Sequence, residues 1–141
     1  MASVSISVKH IKARYLIGAF IILPALFWYV AIPVVRVHYS KEATDELRVI
    51  WNIQHNIHKE GMLPGQGTYD IGHIFPNDKS FMNFDWWNEK SLRRCIAIMP
   101  KWGDAIDIYL DGSGRIETAK TGPDVIARLK RCEGDADPFR F

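Results

Sequence analysis

With 141 residues, 48% hydrophobic and 24% charged, the chain is long enough for one small folded domain and too apolar for an unfolded one. Its net charge of +2 is unevenly spread: Lys9, Lys12, Arg14, Arg36 and Lys41 stand in residues 1–41 without an acid, so acids outnumber bases over the rest. That mildly acidic remainder excludes a nucleic-acid binder of the basic-patch kind and assigns the positive charge to membrane flanks.

From residue 15 to 35 the sequence YLIGAFIILPALFWYVAIPVV holds no charge, His, Asn or Gln. As a helix it would span about 30 Å, the thickness of a bilayer's hydrocarbon core. It exceeds a signal-peptide apolar region and lacks a small-x-small cleavage site, Ala31-Ile32-Pro33 being the nearest approach, so an uncleaved anchor is expected. The expected division is a basic leader at 1–14, a transmembrane helix at 15–36 and a small extracytoplasmic domain at 37–141. Pro24 would kink the span and Pro33 would mark its end. The ring cluster Phe27, Trp28 and Tyr29 has two readings, lipid-facing bulk or a face that packs on a partner helix. The apolar run at 15–35 has no His for axial ligation of haem and no charged group to mark a transport path.

Lys/Arg counts on the two flanks are tied. Cys95 and Cys132 break the tie, because an even count in a small domain suggests one disulfide and an oxidising compartment. The alternative is a pair of buried thiols; no CxxC pattern points to zinc or thiol redox chemistry.

Residues 40–59 predict an amphipathic helix. Ala43, Leu47, Ile50, Trp51 and Ile57 recur at helical spacing, Ser40 can cap the start, and Lys59 with Gly61 fits the finish. Residues 62–88 carry Pro64, Gly65, Gly67, Gly72 and Pro76, which predict a long irregular stretch. Its aromatic rings either plug into the core or leave Phe84, Trp86 and Trp87 as an exposed patch that docks on a partner or on headgroups. Residues 95–99 and 105–110 read as strands. Asp111-Gly112-Ser113-Gly114 is a turn signal, and 115–120 is expected to return as the second strand of a hairpin. Pro123 opens a closing helix with Val125, Ile126, Leu129 and Cys132 as its stripe and Gly134 as its end, which a Cys95–Cys132 bond would staple to the strand at 95–99. Residues 135–141 form a loosely held tail.

The fold class expected is α+β: one N-terminal transmembrane helix, an amphipathic helix, a small antiparallel sheet and a C-terminal helix. That order resembles the type IV pilin and pseudopilin plan, although the family's Gly-Phe processing site and the Glu five residues into its apolar segment have no counterpart here.

No motif carries chemistry. His55 and His58 stand at i, i+3, whereas zinc helices show i, i+4 with an adjacent Glu. The loop at 111–114 lacks the remaining ligands of a calcium loop, and 65–67 and 112–114 do not join a strand to a helix as phosphate loops do. No catalytic, metal or cofactor residue is assigned. The function expected is a non-enzymatic, single-pass accessory subunit of a larger membrane complex, its partners the lipid bilayer and other membrane-protein subunits, with no nucleic acid. The alternatives are an extracytoplasmic inhibitor or immunity-type binder and a minor pilin-like filament subunit. The location expected is a bacterial inner membrane with a periplasmic domain, or else a mitochondrial inner membrane, whose targeting segments the acid-free leader also suits.

Overall fold

The computed structural model describes residues 6–132, with side chains from residue 12; the expected tail at 135–141 and the helix end at Gly134 lie outside the described residues. The chain divides into two units, residues 1–31 and 32–141, each described by itself.

The first unit is helix α1 (Ile6–Ala31), with Pro24 inside it. It begins within the expected leader and ends before the expected boundary at 36. Pro33 stops it, because a proline has no N–H to donate and disfavours helical backbone at the residue before it. The β-branched residues that follow turn to strand: β1 runs Val34–Tyr39. No amphipathic helix continues α1, so the element order of the pilin plan is not reproduced.

The second unit is a two-layer β structure. The other strands are β2 (Leu47–Ile53), β3 (Asn56–Met62), β4 (Gly67–Ile71), β5 (Met82–Trp87), β6 (Arg94–Ile98), β7 (Ala105–Leu110) and β8 (Leu129–Arg131), with a short helix α2 (Pro123–Arg128) before β8. They form a three-stranded sheet in the order β4-β1-β7 and a five-stranded sheet in the order β3-β2-β5-β6-β8. All pairings are antiparallel except β1 with β7, which run parallel. Inward residues of both sheets make one core, including Val35, Val37, Ile108 and Leu110 from the smaller sheet and Leu47, Trp51, Phe84 and Ile96 from the larger.

Several expectations are corrected. The segment at 40–59 is not a helix. Leu47, Val49 and Trp51 alternate inward, a period of two that the helical stripe happened to share at Leu47 and Trp51. Gln54 and His55 adopt positive φ (47° and 71°), the conformation of a two-residue hairpin loop. The Asn52 side chain accepts the His55 backbone N–H at 3.1 Å and holds that loop without a glycine. The stretch at 62–88 is not irregular throughout, since it contains β4 and β5.

The return strand expected at 115–120 shrinks to one bridge, Leu110 with Ile116. Backbone bonds from Lys120 and Thr121 to the Glu117 carbonyl curl the chain away from the ladder. The closing helix stops at Arg128, because Leu129 turns inward opposite Ile98 in the adjacent strand. Cys132 follows β8, so the Cys95–Cys132 disulfide ties β6 to the chain after β8 and not to a helix.

Candidate functional site

β1 exposes its polar alternation on the outer face of the three-stranded sheet. Val35, Val37 and Tyr39 point into the core, so Arg36 and His38 must point out. The parallel register sets Asp107 opposite Arg36 and Tyr109 opposite His38. The antiparallel register on the other side sets Tyr69 opposite Arg36 and Gly67 opposite His38.

The Asp107 carboxylate is held from two sides. Arg36 donates through Nε at 2.9 Å and through a terminal nitrogen at 3.0 Å, and the His38 Nε2 lies 2.9 Å from Oδ1. Partial burial pushes the Asp107 carboxyl up, but the hydrogen bonds from His38 and Arg36 outweigh it and hold it below the ordinary carboxylate range. Fixed in this way, the imidazole lies nearly flat on the Tyr109 ring, with centroids 4.6 Å apart and planes 17° apart. Gly67 lets β4 approach this wall, because a Cβ there would sit 2.9 Å from the Val37 carbonyl oxygen.

At the ends of β1 and β7, His38, Gly67 and Tyr109 border a cleft of about 440 Å³, whose lining also includes Lys41, Glu42, Gln66, Glu117 and Lys120. That volume falls in the range of small-ligand sites. Lys120 pairs with Glu117 at 3.1 Å, so cations and anions on the rim balance. The floor is firm. Tyr39 is buried and donates its hydroxyl to the Asp45 carbonyl at 2.9 Å, and burial, with Asp45 and Asp111 nearby, raises its phenol above the ordinary value.

A second, smaller concavity of about 280 Å³ lies between Asp45, Glu46, Arg48 and Asn88–Lys90. Lys90 spans it by an ion pair to Asp45 at 3.0 Å, and that hydrogen bond lowers the Asp45 carboxyl below its usual value.

The residues singled out from the sequence fall elsewhere. Phe27, Trp28 and Tyr29 lie on α1 with 48%, 57% and 82% of their surface exposed. The patch at Phe84, Trp86 and Trp87 does not form as a surface. Strand alternation turns Phe84 and Trp86 inward, where Phe84 lies 4.6 Å from the Trp51 ring and 5.2 Å from the Trp86 ring, and the Trp86 indole donates to the Gly114 carbonyl. Trp87 alone of the three faces out, half-buried beneath the Arg93 guanidinium at 5.5 Å. His58 pairs with Asp70 at 3.0 Å and His55 packs edge-on to Phe81. Among the described residues no three His, Cys, Asp or Glu side chains converge as metal ligands.

Arg36, His38, Gln66, Asp107 and Tyr109 were not foreseen as a site. Half of the signal is visible in the alternation of AIDIYL, which puts Asp107 and Tyr109 on the face opposite Ile106, Ile108 and Leu110. No protein-family model, curated protein or solved structure matches the chain.

Proposed function

We propose that the chain is a non-enzymatic, membrane-tethered binding subunit whose folded domain lies outside the cytoplasm and engages other subunits of a membrane complex. One observation carries this reading. The helix over Lys12–Ala31 is 20 residues long with mean hydropathy 1.7, and none of its most apolar window is buried. A soluble protein would cover such a helix with its own core, whereas a bilayer covers it with lipid. The Cys95–Cys132 disulfide supports an oxidising compartment for the domain. A bacterial inner membrane with a periplasmic domain meets both requirements most simply; a mitochondrial inner membrane with the domain on its oxidising side has the same chemistry. Phe27, Trp28 and Tyr29, exposed on α1, are the proposed contact for a partner helix.

The test is expression of the full chain followed by alkaline extraction of membranes, thiol-labelling of Cys95 and Cys132 with and without reductant, and purification in mild detergent. Retention in the membrane, labelling only after reduction, and a partner in fixed ratio are expected. Extraction into the soluble fraction, or a lone monomer in every mild detergent, overturns the reading. A second reading, an extracytoplasmic inhibitor or immunity-type binder, is favoured by the compactness of residues 32–141 as a unit with its own core. It expects a soluble partner that binds equally well when α1 is replaced by an unrelated anchor.

A further inference from the structure

We propose that the cleft at the ends of β1 and β7 binds a neutral oligosaccharide, with the His38–Tyr109 pair as its stacking wall. The proposal rests on the reading of the chain as an extracytoplasmic binding protein, and names the ligand class of this site.

Three observations choose the ligand. The first is charge. Lys41 and Lys120 share the lining with Glu42 and Glu117, and Lys120 is already paired with Glu117 at 3.1 Å. A balanced rim gives no electrostatic gain to a polyphosphate, a nucleic acid or an acidic peptide, each of which needs an excess of cations.

The second is the state of the backbone. A bound extended peptide draws affinity from unpaired main-chain groups at a strand edge. Around this cleft those groups are engaged: the backbone N–H of Tyr39 bonds the Gln66 carbonyl at 2.9 Å and Ser40 the Leu110 carbonyl at 3.0 Å. Gly65 bonds the Ser40 carbonyl at 3.2 Å, and Glu117 bonds the Tyr109 carbonyl at 2.7 Å. Recognition here therefore falls to side chains.

The third is the kind of side chain. Tyr109 and His38 present rings fixed in orientation, His38 by Asp107 and Tyr109 by its stack on His38. A ring fixed in place offers a flat apolar surface at little entropic cost, suited to the C–H face of a pyranose. The Gln66 amide and the rim carboxylates and ammonium groups are the donors and acceptors that sugar hydroxyls require. The cleft, about 440 Å³, holds a few sugar units at most.

The experiment uses the full chain in a zwitterionic detergent whose headgroup is not a sugar. It is titrated by calorimetry with cellotriose, maltotriose and triacetylchitotriose, and with trigalacturonate and a glutamate-rich hexapeptide as charged comparators. Saturable binding of at least one neutral trisaccharide is expected, with affinity about 10-fold lower in Tyr109→Ala, equivalent to a stacking contribution of about 1.4 kcal/mol. Tyr109→Phe, which keeps the ring, should bind within about 2-fold of the parent, and Lys130→Ala on β8 should bind as the parent does. Circular dichroism of each variant establishes that the domain is folded. Absence of binding to all three neutral sugars, binding of a charged comparator alone, or unchanged affinity in folded Tyr109→Ala overturns the proposal. Flotation of the same preparation with phosphatidylcholine vesicles reports on the tether separately: protein that floats without binding sugar refutes this inference and not the membrane reading.

Discussion

The indole N–H of Trp51 on β2 donates to the Thr68 hydroxyl of β4 at 3.1 Å, so one buried hydrogen bond joins the two sheets. The Thr68 hydroxyl in turn donates to the Glu60 carboxylate. Thr68→Val strands the indole N–H in the core and should cost about 1–3 kcal/mol, read from urea denaturation followed by circular dichroism. Trp51→Phe should also destabilise the domain. Combined, the two changes should cost less than their sum, because neither polar group then remains to be satisfied. Strict additivity would mean the bond does not couple the sheets.

The Cys95–Cys132 bond closes a loop of 37 positions, with Cα atoms 5.7 Å apart. Reduction, or Cys95→Ala with Cys132→Ala, should lower stability by about 3–4 kcal/mol in the chain-entropy account. The denaturation midpoint with and without reductant measures it. A midpoint that does not move would mean that β8 is held by its ladder and by Leu129 alone.

Acid should weaken the domain. Asp104, Asp107 and Asp111 are each partly buried, which raises their carboxyls, yet hydrogen bonds win in all three and hold them below the ordinary value of 3.8. The folded state thus binds fewer protons than the unfolded chain. Their contribution is present in full above the unfolded value and is lost as pH falls below about 4 through the lowered folded values. Asp107→Asn should flatten the loss of stability between pH 5 and pH 2, measured as urea midpoints at each pH, while lowering stability at pH 7. A slope equal to that of the parent would assign the acid sensitivity elsewhere.

How much of this was legible in the sequence differs between elements. AIDIYL alternates strictly and sits between turn residues, so β7 was readable locally. The segment at 40–59 was not, because Leu47, Ile50 and Trp51 satisfy both a helical stripe and, in part, a strand face. What decides it is burial of Leu47, Val49 and Trp51 against the opposite sheet, a contact no local window contains. The β-branched residues Val49, Ile50, Ile53 and Ile57 were the available warning. The site was hidden for a related reason: Val34 and Val35 continue the apolar run that begins in α1, and the strand they begin pairs in parallel with residues 71 positions away. Parallel pairing at that distance leaves no turn signature.

The hairpin loop between β2 and β3 gives a test of local strain. His55 holds a φ of 71°, where glycine is at ease and a side chain costs about 1–2 kcal/mol. His55→Gly forfeits the edge-on contact with Phe81, worth about 0.5–1.5 kcal/mol. The net expectation is a gain of about 0.5 kcal/mol in a thermal or urea midpoint, and a loss would show that the ring contact dominates.

An arginine at the centre of the apolar part of α1 tests the proposed tether. Ile21→Arg lies midway along Lys12–Ala31 and should cost about 2.5–3.5 kcal/mol of membrane insertion. The measurement is the fraction resisting alkaline extraction, which should fall sharply. Asp78→Arg, in the folded domain, should leave that fraction unchanged.

The placement of β1 in the middle of its sheet has a consequence for how the domain is made. The strand nearest the N-terminus has neighbours that are synthesised much later, β4 ending at Ile71 and β7 at Leu110. On a growing chain, its β4-facing edge waits until residue 71 is made, and its β7-facing edge until residue 110, when most of the domain has emerged. Such distant closure is entropically slow, so the β2–β3 hairpin, closed across a two-residue loop, would form well before the β1–β7 pairing, whose partners lie 71 positions apart. During that interval an unpaired hydrophobic strand stands at the start of the domain, available to a chaperone or to another chain, and completion of β7 is the event that ends its exposure.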